Sequence, residues 1–232
     1  MPATLNFIGE SAFYSCYELY NLNLPTDLLE IQSYAFEACG LKSLVIPEQV
    51  LRISEGLFLE CPNLTDITLP SNLREINNGA FQICTSLEAI EIPNSVTILG
   101  EGIFYGCSSL RNVALPNSLR AIPKAMFKFC TSLDNISIPE TVTRIDEHAF
   151  YECQSLSKIA LPNSIRTIKE RTFYYCINLY EVILPSELET IDEQAFCICE
   201  SLNNISLPGR LRVIGKQAFS NCTSIAKISF PE

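Results

Sequence analysis

The apolar positions of this chain repeat one phrase from end to end: A-F-x-x-C-x-S-L-x-x-I-x-[LI]-P-x-x-[LV]-x-x-I-x-x-x. Phenylalanines stand at Phe13, Phe36, Phe58, Phe81, Phe104, Phe127, Phe150, Phe173, Phe196 and Phe219. A cysteine follows each by three residues, from Cys16 to Cys222, and a proline closes each unit, from Pro25 to Pro231. The step is 23 residues, broken once by a step of 22 where "CGL" at 39–41 lacks a residue. A constant period in the twenties marks a solenoid, whose units cannot bury their apolar faces alone and must stack.

One unit, residues 146–168, shows the elements the pattern predicts. In "SLSKIALP" the alternation over 157–161 predicts a short strand with Ile159 and Leu161 pointing inward. Proline has no N–H to give to a ladder, so Pro162 ends the strand and turns the chain. "NSIRTI" then returns Ile165 and Ile168 to the core. In "DEHAFYEC", Asp146 is a candidate N-cap, with Phe150 and Cys153 on one face of a short helix or turn. Each rung therefore reads as strand, turn, helical or turn piece, and return.

These residues resemble the BspA-like, or treponemal-type, leucine-rich repeat, whose unit carries the same Ala-Phe, Cys and Pro marks over essentially the whole chain. The resemblance implies an α/β leucine-rich-repeat solenoid of 23-residue units, with a parallel sheet on its concave face and short helical or turn segments on the convex side. We expect one right-handed domain over 1–232, with about nine full rungs and partial units at both ends. Members of this family are often surface or secreted proteins acting in adhesion and host contact. A second period overlies the first: "LPSNLR", "LPNSLR", "LPNSIR" and "LPGRLR" alternate with "IPNSVT" and "IPETVT". We infer that the array grew by copying a two-rung block, with "LPSELE" at 184–189 departing from the pattern.

Composition narrows the function classes. The apolar fraction of 47% and charged fraction of 18% fit a folded chain with ample core. A net charge of −10 opposes nucleic-acid binding and anionic membrane surfaces. No apolar run is long enough to span a bilayer, so membrane insertion is not expected. "MPATLNFIGES" carries no visible secretory signal, which leaves surface or secreted placement to the resemblance and keeps a cytoplasmic one open.

The eleven cysteines could be a disulfide framework, a metal cluster or a nucleophile set. Ten of them fall on one column, where small buried thiols facing the core are the simpler reading. Parallel Cβ vectors ~4.8 Å apart suit bridging poorly, since a disulfide wants about 3.5–4.5 Å. We expect none bridged, no metal and no cofactor. Cys197 is off the column and expected to face outward as the thiol open to modification. His148 near Cys153 could suggest a catalytic thiol, but its position is filled in other rungs by Tyr34, Gly56, Gly79, Gly102 and others, which marks a surface position, and Cys153 is expected to be buried like its nine equivalents. No catalytic motif is present, and we expect no enzyme.

Outward columns are where a solenoid meets a partner. The central strand column is mostly small, with Ala114, Ser137, Ala160 and Ser206 among its members. Around it, Glu88, Glu91, Arg111, Asn112, Asn135, Lys158, Tyr180 and Glu181 form a polar face of mixed charge, expected to bind a protein or glycoconjugate. Its competitor is a merely solvated sheet face. On the convex side Tyr105, Phe129, Tyr151, Tyr174 and Tyr175 are a candidate interaction patch, or else rings that finish the packing. Arg74, Arg120, Arg166 and Arg212 share a column that could meet a periodic polyanion, although Glu189 interrupts it. Sequons occur at Asn63, Asn135, Asn204 and Asn221.

The chain starts mid-unit at "LNFIGESAF" and stops at "ISFPE" without a polar capping unit. We expect either a segment of a longer protein, which we favour, or ends that stack on another molecule in end-to-end self-association. The leading expectation is thus a non-enzymatic recognition module using the concave face for adhesion or host contact. The alternative is a self-assembling scaffold using its ends and the aromatic patch.

Overall fold

The computed structural model describes residues 1–229, without the side chain of Asn204. Pro231, the last proline of the repeat, lies outside the described residues. The chain divides into two compact units, Met1–Pro116 and Asn117–Glu232, and each is built from stacked coils.

Parallel pairing between coils occurs at two places along the repeat, although residues 21–24 and 135–138 form no strand at the first of them. In the second unit, strands Lys158–Ala160, Glu181–Ile183, Asn204–Ser206 and Lys227–Ser229 form one sheet in chain order. Their register is one repeat: Lys158 faces Glu181, Ile159 faces Val182, and Ala160 faces Ile183. The first unit pairs Ser43–Val45 with Asp66–Thr68, and Ala89–Glu91 with Asn112–Ala114. A second series of two-residue strands follows the proline turn. It includes Arg52–Ile53, Glu75–Ile76 and Ile98–Leu99 in the first unit. The second unit has Thr167–Ile168, Thr190–Ile191 and Val213–Ile214. The return segment "NSIRTI" also pairs between coils, through Thr167–Ile168. As expected, Ile159 and Leu161 of the strand stretch and Ile165 and Ile168 of the return are all in the core. The predicted strand over 157–161 is shorter at both ends, at Lys158–Ala160.

The expected helical pieces do not form, and the α/β class needs correcting: no helix occurs among the described residues. The "DEHAFYEC" stretch is a run of turns, so Asp146 caps nothing helical. Two residues per coil sit in the left-handed region, two before and two after the phenylalanine, as at His148 (φ 60) and Glu152 (φ 57). Donors alternate between local and inter-coil bonds. Ala149 N–H reaches back to Asp146 and Cys153 N–H to Phe150, whereas Phe150 N–H donates to Thr172 O of the next coil at 2.9 Å. Spacing explains the choice. Packed helices sit about 8–10 Å apart, but paired strands advance only ~4.8 Å per coil. A column of helices needs wider spacing than the strands and bends the array into a horseshoe, whereas a turn ladder one chain thick keeps step with the strands.

The phenylalanines stack as the core's spine. Phe13, Phe36, Phe58, Phe81 and Phe104 stand 5.4–5.8 Å apart in the first unit. Phe127, Phe150, Phe173, Phe196 and Phe219 stand 5.2–5.4 Å apart in the second. Beside them run the cysteines, all free thiols. Each of eight thiols donates to the carbonyl of the phenylalanine one coil back, at 2.9–3.2 Å. That carbonyl already accepts the N–H of its own coil's cysteine, as Phe127 O does from Cys130 at 3.0 Å. The thiol fills the second lone pair in a site where no water enters.

Candidate functional site

All eight residues expected on the strand face are exposed. Glu88, Glu91, Arg111 and Asn112 belong to the first unit; Asn135, Lys158, Tyr180 and Glu181 belong to the second. Alternation along the strands decides this: in Lys158–Ala160 and Glu181–Ile183 the outer two residues face water and the middle one is buried. Because the central column is small, the face is dimpled rather than flat. In the first unit a depression of about 720 Å³ is lined by Thr68, Glu91, Asn112 and Ala114 among others. In the second, one of about 620 Å³ lies over Ser137 and Ala160, bordered by Asn135, Lys158 and Glu181. A neighbouring one of about 640 Å³ is bordered by Tyr180, Glu181 and Lys227.

Charge on this face is uncommitted. Among the described residues, Glu88, Glu91, Arg111, Lys158 and Glu181 enter no ion pair within the chain. In the arginine column Arg166 differs, while Arg74, Arg120 and Arg212 enter no ion pair among the described residues. Arg166 is held by Glu187 at 3.2 Å and Glu189 at 3.5 Å, and Arg210 also reaches Glu187 at 2.9 Å. These carboxylates weaken a polyanion site at Arg166. Of the sequons, Asn63, Asn135 and Asn221 are exposed, and the side chain of Asn204 lies outside the described ones.

On the turn side the aromatic residues pack mainly on one another. Tyr151 and Tyr174 stack at 4.8 Å with planes 8° apart, and Phe129 meets Tyr151 edge-on at 5.6 Å. The Lys128 ammonium lies 4.4 Å above the Tyr151 ring and 5.0 Å from that of Phe129. Burial lowers the pKa of Lys128 and raises that of the Tyr151 hydroxyl. Phe129, Tyr151 and Tyr174 are half-buried, and Tyr175 at 36% is the exposed member. Tyr105 is half-buried in the first unit.

Cys197 does not face outward. It occupies the same turn position as Tyr151 and Tyr174, whose side chains lie along the neighbouring coils, and it is only 5% exposed. Burial raises its thiol pKa, which a hydrogen bond with Ser220 partly offsets, so it is not the open thiol expected. His148 turns to Tyr151, 5.7 Å away, and burial together with Lys128 lowers its pKa. Cys153 is fully buried with its pKa pushed well up. That is the reverse of an activated nucleophile. Among the described residues no three His, Cys, Asp or Glu side chains converge to hold a metal, and no helix is long and apolar enough to cross a membrane.

With parallel 23-residue coils and their phenylalanine and cysteine columns established, comparison with known proteins is decisive. The family model for a BspA type leucine rich repeat region in six copies matches residues 1–110, 51–179 and 120–232. The chain belongs to the BspA-type leucine-rich repeat family. It is similar to a leucine-rich repeat protein from Bacteroides ovatus, at 29% identity and TM-score 0.81, over 98% of this chain and 71% of that one. A leucine rich cell surface protein from Faecalibacterium prausnitzii matches at 29% identity and TM-score 0.64, over 98% and 70%. The T. pallidum leucine rich repeat protein matches at 27% identity and TM-score 0.50, over 78% and 73%. No curated protein matches the chain. BspA-type repeats are generally non-catalytic, and membership points to a protein-interaction or surface module.

Proposed function

We propose that the chain is a non-enzymatic recognition module of a surface or secreted protein, binding a protein or glycoconjugate through the outward face of its three-residue strands. The observation that carries this reading is the dimpled face itself. Glu91, Asn112, Asn135, Lys158, Tyr180 and Glu181 border depressions floored by small residues. Such a surface offers many modest hydrogen bonds and uncommitted charges without an enclosed cavity, which suits a broad partner better than a small metabolite. The surface placement draws support from the F. prausnitzii relative, described as a cell surface protein. A role in adhesion or host contact belongs to this same reading.

A second contact surface, on the turn side, has Tyr175 as its exposed edge and the row Phe129, Tyr151 and Tyr174 behind it. The two surfaces separate experimentally. An array of glycans and extracellular-matrix proteins is screened with the purified chain, and any binder is titrated against Glu91→Ala, Arg111→Ala, Lys158→Ala and Tyr175→Ala. Weakening by any of the first three, with Tyr175→Ala unchanged, supports the strand face of the unit that carries that residue. Weakening by Tyr175→Ala alone moves the site to the turn side, and unchanged binding by all four removes both.

A further inference from the structure

Two adjacent strands of the second unit carry opposite features at both of their outward positions. Lys158 lies in register with Glu181 and Ala160 with Ile183. One residue earlier Ser157, half-buried, neighbours Tyr180, which is 43% exposed. One strand thus presents small, cationic, small, and the other large, anionic, large. Ile183 stands 58% exposed, a large apolar side chain in water beside the depression over Ser137 and Ala160. Lys158 and Glu181, although side by side, form no ion pair within the chain.

We propose that this face pairs with a second copy of itself. Consider two such sheets face to face, related by a two-fold axis along the strand direction, midway between Lys158–Ala160 and Glu181–Ile183. The rotation keeps the strands parallel and exchanges these two. Lys158 of one copy then opposes Glu181 of the other twice over. Each Ile183 enters the depression above the opposite Ala160, and each Tyr180 covers the opposite Ser157. One operator satisfies charge and shape at all three positions, as an isologous interface requires. A few three-residue strands spaced ~4.8 Å apart cover less than the ~1,200–2,000 Å² of a stable interface, so the dimer is weak and concentration-dependent.

The contact would cover residues proposed above to hold a partner, yet it is read by mass and not by partner binding, so either reading can fail alone. Sedimentation equilibrium of the purified chain from about 10 µM to about 1 mM should show a reversible monomer–dimer equilibrium. Lys158→Glu or Glu181→Lys alone places like charges opposite each other and should weaken association roughly tenfold or more. The double exchange K158E/E181K should restore it, because the same axis then brings the swapped charges together. Ile183→Asp should abolish it, and all these positions are exposed, so each fold can be checked by its unchanged melting. A chain monomeric throughout overturns the proposal. So does a dimer that survives both single exchanges, or one that the double exchange fails to restore.

Discussion

The Cys153 thiol donates to the carbonyl oxygen of Phe127, one coil back, at 3.1 Å. The repeat needs a side chain here that is small, apolar enough for the core and still able to donate one weak hydrogen bond. Cys153→Ala should lower stability by about 1–3 kcal/mol, from lost contacts plus the lost donor. Cys153→Val loses the donor and adds a branched methyl group to a fully buried site, so it too should fall below wild type. Urea unfolding midpoints check both. A valine variant as stable as wild type would show that the thiol serves by size alone.

Glycines at the left-handed turn positions should be unequal. Gly102 has φ 59, and a Cβ there would meet nothing closer than the Tyr105 Cβ at 3.8 Å. Gly102→Ala should therefore cost only the backbone term, about 1–2 kcal/mol. Gly56 has φ 56, and its added Cβ would collide with the Tyr34 ring, whose hydroxyl donates to Glu55. Gly56→Ala should cost visibly more than Gly102→Ala in the same thermal melt. Equal costs would mean that the Tyr34 ring moves freely.

Those turn positions also show where the sequence was legible and where it was not. Apolar spacing placed Phe150, Cys153, Ile159 and Ile168 in the core, because burial follows period and the period is unbroken. Backbone conformation leaves a fainter trace. Gly56, Gly79 and Gly102 share the column of His148 and signal a positive φ, yet His148, Arg171 and Gln194 occupy the same column with φ 60, 52 and 55. Read as mere variability, the column hid the turn ladder and allowed a helix. Cys197 failed for a related reason: on a helix the residue after Phe196 would swing outward, whereas on a flat ladder it lies along the next coil. The strand-face residues were readable from alternation alone, but Glu187 beside Arg166 was not, since that contact spans two coils.

Buried thiols make stability depend on alkaline pH. Burial raises the thiol pKa of Cys61 and of Cys107 from 9.0 to about 12. Folding therefore favours the protonated form. Below the unfolded pKa the stabilisation is complete. As pH rises past about 9 the unfolded chain releases protons that the folded one keeps, and stability falls until about pH 12. Each such thiol should contribute a slope of roughly 1.4 kcal/mol per pH unit within that window. Unfolding midpoints at pH 8, 9 and 10 check the sign: a steepening loss above pH 9 is expected, while a flat profile would mean the thiols are solvated.

The aromatic row poses packing against recognition, and stability measurements can divide them without any partner. Tyr151 and Tyr174 give their faces to each other at 4.8 Å, and Lys128 covers the Tyr151 ring at 4.4 Å. Replacing either tyrosine by alanine should destabilise the fold. A double-mutant cycle between them should return a coupling of about 0.5–1.5 kcal/mol, as for stacked rings elsewhere. Tyr175 is more exposed and lies 6.5 Å from Tyr174 at 23°, so Tyr175→Ala should change stability by less than about 0.5 kcal/mol. That contrast would leave Tyr175 as the residue of this row free to serve a partner. A coupling near zero between Tyr151 and Tyr174 would instead mean that the stacked pair does little for the fold, and the whole row would return to consideration as a contact surface.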